Sequence, residues 1–338
     1  MDTPDRAGRR PSWIFRGVLV LILVYALYVL AMMWWWDTEP DHFDPVKATQ
    51  ARATAKQQPV VVGSATTSAL IDTTAVLLDK RGGYLSNDKL PPGVLMDNIP
   101  NWEFGVVTAS RDLARAMRNE FSRSQTQSTE DPDLKEAEPL FSSPNDRWLF
   151  PSSESQYRKG MEYVENYANR LADDNHEDAQ FFARADNLAD YLGVVSTRLG
   201  SYSQQLSASV GQNRIDTDLA NDPNAQQSKP AAGSRMVKTP WLEIDDNFYA
   251  ARGYTWALRE QLEAIRVDFG PVLRDKNAMV SLEQVIREIE EAQKPLGSPI
   301  VLNGSPFGFF GNHSLVLANY ISRANAALIE LRELLKRG

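Results

Sequence analysis

The chain has 338 residues and a formal net charge of −8 at pH 7, with 36 Lys and Arg against 44 Asp and Glu. This balance argues against nucleic acid as a partner, because nucleic-acid affinity depends on basic side chains at the phosphates. The chain contains no cysteine, which excludes disulfides and thiol nucleophiles. A domain without disulfides is held together by packing, and this length is sufficient for a substantial apolar core.

Residues 17–36 are predicted to form a transmembrane helix. The run GVLVLILVYALYVLAMMWWW contains no charged residue, and a helix of this length rises about 30 Å, which matches the hydrocarbon core of a bilayer. A buried helix of a globular domain is the alternative, but nothing polar marks a second face. Because indole rings prefer the headgroup region, we predict that Trp34, Trp35 and Trp36 lie at one membrane interface and Trp13 at the other.

The charges on either side of this helix predict its orientation. Arginines precede the helix and acids follow it, namely Arg6, Arg9, Arg10 and Arg16 before and Asp37, Glu39, Asp41 and Asp44 after. Positive charge stays in the cytoplasm, so residues 1–16 are predicted to be a cytoplasmic tail and everything from residue 37 to lie outside. A cleaved signal peptide is the alternative, but its shorter apolar stretch ends in small residues, whereas Met32 and Met33 occupy that place here.

The outer part of the chain is predicted to be helical almost throughout. Residues 37–63 are polar and are predicted to be a linker, and residues 64–338 are predicted to form a periplasmic helical bundle. Two apolar stripes, Phe181 to Leu206 and Ile244 to Phe269, advance in alternating steps of four and three residues over equal lengths. This match predicts that the two stripes are antiparallel partners.

Other segments complete the predicted fold. A helix from Ser68 is predicted to end at the glycines of residues 82–83, residues 84–105 are predicted to be an ordered loop, and residues 313–336 are predicted to form the last helix. Residues 211–239 are polar and without period, so we predict a flexible loop. The predicted fold class is all-α, with a single N-terminal transmembrane helix followed by a long-helix antiparallel bundle.

A glycine-rich loop precedes the last helix. The run NGSPFGFFGNHS starts at residue 303, and such a turn at a helix N-terminus can bind an anion. Its spacing matches neither the dinucleotide-binding fingerprint nor the P-loop. We therefore predict that Phe307, Phe309 and Phe310 close one end of the bundle and that Asn312 or Ser314 caps the helix.

Residues with metal-binding or catalytic side chains are sparse. The histidines His42, His176 and His313 have no metal-ligand spacing. The acidic residues between 173 and 178 are interpreted as complements to a helix dipole, with adventitious Ca²⁺ as the alternative. No nucleophile motif is present. The sequence therefore predicts no catalytic residue, no cofactor and no metal.

One recurrence places an aromatic residue three positions before an arginine. The pairs are Phe181 and Arg184, Tyr249 and Arg252, Tyr320 and Arg323, and Tyr167 and Arg170. This spacing brings ring and guanidinium to one side of a helix. Either these arginines extend beside the apolar stripes, or Arg184, Arg252 and Arg323 form a cationic layer that holds an anion inside the bundle.

Six strings resemble a known bacterial family. They are GGYLSND, NIPNWEFG, PSSESQYR, FFARADNL, TRLGSYSQQLSASVG and NHSLVLANYISRANAA. The chain resembles the single-span proteins of Gram-negative proteobacteria grouped as domain of unknown function 2333, over all but the linker and the flexible loop. The resemblance implies an anchor in the bacterial inner membrane and a periplasmic domain, and it carries over no activity and no site residue.

The predicted function is a non-enzymatic interaction or scaffold module of the cell envelope. The predicted partners are the lipid bilayer, through residues 17–36, and an envelope protein; nucleic acid is excluded and a homo-oligomer stays open. The alternative is a periplasmic ligand-binding or sensory module, and an enzyme ranks third. An interior cavity lined by converging polar groups would favour ligand binding over a scaffold.

Overall fold

A computed structural model describes residues 12–124, 128–173, 179–214, 235–298 and 300–337. Helices dominate this part of the chain, which confirms the all-α prediction. The helices are α1 (Ser12–Trp36), α2 (Pro45–Lys56), α3 (Ser64–Asp79), α4 (Asn98–Ala116), α5 (Pro132–Phe141), α6 (Ser153–Leu171), α7 (Ala185–Ser207), α8 (Ile244–Asp268), α9 (Gly270–Asp275), α10 (Met279–Ala292) and α11 (His313–Lys336). Two short strands, β1 (Gln212–Arg214) and β2 (Arg235–Val237), form an antiparallel pair.

Helix α1 begins earlier than predicted, at Ser12, and ends at Trp36 as predicted. Most of its apolar side chains are exposed, whereas Met32, Met33 and Trp36 are half-buried and Val29 is buried, with 6% of it exposed. Within the described ranges it is the one helix that is long and apolar enough to cross a membrane. A signal sequence passes the same test of length and composition.

Helix α8 is the central helix of the bundle. Its residues 250–258 are all buried, so it contacts neighbours on every side. The α4 backbone lies directly against it, since a Cβ at Gly253 would be 1.9 Å from the carbonyl oxygen of Trp102. A Cβ at Gly105 would likewise be 2.1 Å from the carbonyl oxygen of Ala250. Glycine at these two positions permits the close crossing.

The two long apolar stripes are buried and contact each other, but neither is the main partner of the other. Residues Leu188 to Leu206 of the first stripe and Ile244 to Phe269 of the second face the core at the stripe positions. Helix α7 packs mainly against α11, however, and α8 packs mainly against α4. The predicted partnership holds only as a lesser contact, because periodicity identifies a buried face without identifying the element that covers most of it. Phe181, which precedes α7, packs against Phe269 at the far end of the second stripe, and Tyr202 packs against Tyr254 on α8, so this lesser contact is antiparallel.

Three further segments differ from the prediction. The predicted linker, 37–63, contains α2, which starts at the N-cap Asp44 and packs on α3. The predicted ordered loop, 84–105, ends at Asp97, where α4 begins. Helix α5 was not predicted. In the first two cases tertiary contacts order residues that local composition assigned to connections.

The two ends of the predicted flexible loop are ordered. Strands β1 and β2 lie within 211–239, and Arg214 is the register partner of Arg235. Residues 215–234 lie outside the described residues, as do residues 174–178, which include most of the acidic cluster and His176.

Candidate functional site at the α1 end of the bundle

Residues 37–44, which we call the strap, connect α1 to α2 and are attached along α8. The Glu39 carboxylate pairs with the Arg252 guanidinium, with an O–N distance of 2.5 Å. Arg252 is buried and also donates hydrogen bonds to the carbonyl oxygens of Ala292, Gln293 and Lys294. All the donors of this arginine are directed at groups of the same chain, so it joins the strap, α8 and the end of α10.

The next residues of the strap continue this attachment. Nε1 of Trp256 donates a hydrogen bond of 3.1 Å to the carbonyl oxygen of Pro40. The His42 ring stacks on Trp256 with a centroid distance of 5.9 Å, and its Nδ1 lies 2.6 Å from Oε1 of the fully buried Glu260. The strap is therefore a built part of the bundle and not a free tether.

The strap also contacts the start of α4. Nδ2 of Asn98 donates a 3.2 Å hydrogen bond to Asp37, the first residue after α1. Burial raises the pKa of the Asp37 carboxyl above its ordinary value, although this hydrogen bond acts in the opposite direction. The carboxylate accordingly lies in a partly desolvated junction between α1 and α4.

A buried ion pair organises the turn that follows α3. Nζ of Lys80 lies 2.5 Å from Oε1 of Glu103, and both side chains are almost completely buried. Glu103 also accepts hydrogen bonds from the backbone N–H groups of Leu85 and Ser86 and from the Ser86 hydroxyl. Burial raises the pKa of Glu103, against the opposing effects of Lys80 and these donors.

This turn lies directly against the end of α1. A Cβ at Gly82 would be 2.7 Å from Cδ2 of Trp36, and Gly82 has φ of +83°, a conformation that glycine adopts readily. The strings GGYLSND and NIPNWEFG, which carry the resemblance, supply the turn and Glu103. Together the two strings hold the α3–α4 loop against the last turn of α1.

An open cleft of about 670 Å³ lies beside this junction. Its wall includes Trp34 and Trp35 from α1, Tyr249 and Arg252 from α8, and Leu296 from the loop after α10. The cleft is exposed to its surroundings, and its arginine is already paired with Glu39. A buried chamber with converging free polar groups, as a ligand-binding module would have, is not formed here.

The family model for the uncharacterized bacterial proteins of domain of unknown function 2333 matches residues 8–338. The chain belongs to this family. No curated protein and no solved structure is similar to it at a significant level.

In this family member each of the three arginines predicted to hold an anion is paired with a carboxylate of its own chain. Arg184 is exposed at the start of α7 and pairs with Asp186. Arg323 lies on α11, 2.6 Å from Glu288, with its guanidinium 5.8 Å from the centroid of the Tyr320 ring. Together with the Glu39 pair of Arg252, each guanidinium has a carboxylate partner, so the anion site is not supported.

The three phenylalanines of the glycine-rich loop do not close the bundle. Phe307 and Phe309 are fully exposed and Phe310 is mostly exposed. The loop forms a small hairpin closed by a bridge between Asn303 and Asn312, and the side chains project from it. Burial of this loop was predicted from composition alone, which does not distinguish a core phenylalanine from a contact residue.

The predicted cap Asn312 is confirmed, whereas the membrane interface stays a prediction for the tryptophans, of which Trp36 is half-buried against Gly82. Asn312 caps α11, with its Oδ1 accepting from the Leu315 N–H at 2.9 Å. Trp13 is exposed in the first turn of α1, and Trp34 and Trp35 are exposed in its last turn. Sequence reasoning missed the strap and the Lys80–Glu103 pair, since the partners of both are far apart in the chain.

Proposed function

We propose that this family member is a bitopic protein of the bacterial inner membrane, with residues 1–16 in the cytoplasm and the bundle in the periplasm. We further propose that the bundle is a non-enzymatic interaction or scaffold module of the envelope. The observation that carries the proposal is the strap, because Glu39 and Arg252 fix the end of an apolar, exposed helix to the central helix of the bundle.

A rigid junction suits a scaffold. The contacts of Pro40 and His42 with α8 leave little freedom between α1 and the bundle. A protein held in this way presents its surface at a fixed distance and orientation from the membrane. The buried polar groups at the junction, Glu103 and Arg252, are engaged with partners of their own chain, which supports a structural role over ligand binding or catalysis.

Fusion reporters test the topology. Alkaline phosphatase fused after residue 338 should be active, because it folds only outside the cytoplasm, and a green fluorescent protein fused there should be dark. The control removes α1 from both fusions and should reverse both signals. In the intact protein, an inactive phosphatase fusion together with a fluorescent green fluorescent protein fusion contradicts the proposal.

Two further measurements test the anchor and the scaffold role. A retained α1 keeps the protein in the membrane pellet after alkaline carbonate extraction, whereas a cleaved signal sequence releases a shortened protein.

Chemical cross-linking in intact cells followed by purification should capture the same envelope protein reproducibly. Loss of that partner with an exposed-loop variant that melts like the wild type would locate the binding surface.

A further inference from the structure

Four loops of the bundle emerge at the end where α1 joins it, which we call the α1 end. The loop between α3 and α4 lies against Trp36 through Gly82. The loop between α5 and α6 is tied to the α3–α4 loop, since Nδ2 of Asn87 donates to the carbonyl oxygen of Arg147 at 2.8 Å. The first loop is therefore beside the last turn of α1, and the second lies against the first.

The other two loops reach the same end. The loop between α10 and α11 contributes Leu296 to the cleft that Trp34 and Trp35 line. Residues 238–243 lead into the first turn of α8, where Asp246 accepts a 2.6 Å hydrogen bond from Asn101 in the first turn of α4. The chain thus returns to the α1 end four times.

Each of these loops exposes large apolar side chains. Phe150 is 99% exposed and Trp241 is 80% exposed. The most prominent of these residues are Leu90, Trp148, Phe150, Trp241, Phe307 and Phe309. Soluble surfaces seldom expose so many large apolar residues together, and such patches mark contact with a partner or a membrane.

The opposite end of the bundle has a different surface. Its large exposed apolar residues, within the described ranges, are aliphatic: Val60, Val62, Val267, Val280 and Ile329. Exposed Trp, Phe and Leu residues beyond α1 are therefore concentrated at the end that the anchor joins. Trp and Phe are also the residues that favour the boundary between headgroups and acyl chains.

The exposed charges at the α1 end are mixed. Lys89, Arg147 and Lys238 are exposed there, as are Asp146 and Glu243. Such a surface gives no electrostatic reason to prefer anionic lipid. Insertion of apolar side chains is therefore the contribution to membrane binding that this surface offers.

The burial of Val29 in α1 agrees with this arrangement. Val29 is buried, and it precedes Trp36 by seven residues, which is about 10 Å along a helix. The part of α1 that is shielded from solvent thus reaches from the tryptophans toward the middle of the helix.

We propose that the bundle docks on the outer surface of the membrane that carries α1, with the four loops at the α1 end inserting their apolar side chains into the lipid interface. This inference rests on the proposed anchor. The occupant is the bilayer itself, because the anchor holds these loops at its surface. Interfacial segments of this kind insert by about 5–10 Å.

The absence of cysteine allows a direct test in the full-length protein. Single variants Phe150→Cys, Trp241→Cys and Phe309→Cys carry an environment-sensitive nitrobenzoxadiazole label, and Val280→Cys at the opposite end is the matched control. Each protein is reconstituted in phosphatidylethanolamine–phosphatidylcholine vesicles with or without bromine on the acyl chains. Circular dichroism melting confirms that each variant is folded.

Bromine should quench the three loop labels about twofold and leave the label at residue 280 unchanged, since quenching requires contact near the acyl chains. Loop labels with water-like emission, in protein that resists carbonate extraction, overturn the docking and leave the anchor standing. Blue-shifted emission that bromine does not quench means that protein, such as a second copy, covers the loops, and it also overturns the proposal. Protein released by carbonate overturns the anchor as well.

Discussion

Gly253 and Gly105 show how single residues determine the packing of α4 against α8. A helical glycine is less stable than alanine by roughly 0.5–1 kcal/mol when nothing else intervenes. At these positions the facing backbone is closer than any Cβ tolerates, so the side chain that would favour the helix would separate α4 from α8. The cost of glycine in the helix is offset by the backbone contact.

We predict that Gly253→Ala destabilises the protein by about 2 kcal/mol or more, because overpacked cores must shift backbone to accommodate a new methyl group. Gly200→Ala on α7 is the control, since its Cβ would meet the nearest atom, Nδ2 of Asn325, at an ordinary 3.6 Å. The control should be neutral or slightly stabilising. Urea unfolding of the detergent-solubilised protein measures both, and equal effects at the two sites would contradict this account.

Glu120, after α4, makes stability depend on pH. Burial, with a smaller contribution from Asp190, raises its pKa from 4.5 to about 7 in the folded protein. The folded state therefore keeps a proton that the unfolded state releases between pH 4.5 and 7, and stability falls as the pH rises through this window. The penalty is absent below pH 4.5 and complete above pH 7.

We predict that Glu120→Gln stabilises the protein at pH 8 by about 1 kcal/mol, a value that allows for solvent screening of this partly exposed group. At pH 4 the variant and the wild type should be equally stable. Glu162→Gln, which removes an exposed carboxylate on α6, is the control and should show no such difference. Thermal melting at both pH values gives the comparison, and a gain at pH 4 instead would reverse the assigned sign.

At the scale of elements, the strap is the connection that makes α1 and the bundle one structure. Its residues are polar and local preference alone assigns them to a linker. Their order comes from contacts with α8 that are more than 200 positions away, such as that between Pro40 and Trp256. A buried guanidinium that loses its carboxylate keeps its desolvation cost, so the Glu39–Arg252 pair is sensitive to the loss of either member.

We predict that Glu39→Ala destabilises the protein by about 2–3 kcal/mol, because Arg252 then stays buried with carbonyl partners only. Arg158→Ala is the control, since it breaks an exposed pair with Asp79 and should cost less than about 1 kcal/mol. Limited proteolysis should also cut the strap faster in the first variant. Similar losses in both variants would mean that the strap contributes no more than a surface ion pair.

At the scale of the whole molecule, the bundle is organised around α8, with α7 and α11 as a second layer. The chain leaves this framework between β1 and β2, whose paired ends place Arg214 beside Arg235. A short connection can join strands in this arrangement. The bundle therefore does not require a connection as long as residues 215–234 between β1 and β2.

We predict that replacing residues 217–234 with a short Gly-Ser linker leaves the melting temperature unchanged, because the paired strands already close the hairpin. Differential scanning calorimetry checks this outcome. Loss of a cross-linked partner with unchanged melting would identify the segment as a docking site. Unfolding of the variant would show that the segment stabilises the bundle.

Three predictions needed no tertiary information. The unbroken apolar run identified α1, because a helix satisfies its own backbone hydrogen bonds and the composition of residues 17–36 leaves no polar face. Asn312 and the regular apolar spacing after it identified α11, because capping and periodicity are local properties. The buried positions of α7 and α8 were predicted for the same reason.

Only the tertiary structure decided which faces meet and which polar groups are paired. Periodicity indicated that α7 and α8 each bury a face, but the covering helices, α11 and α4, depend on the shapes that glycines such as Gly253 permit. The Glu39–Arg252 and Lys80–Glu103 pairs join residues on different elements, and a charge pattern read along the chain cannot match them. The exposure of Phe307 was likewise undecidable from composition, because an apolar side chain is favourable in a core and equally in a contact surface.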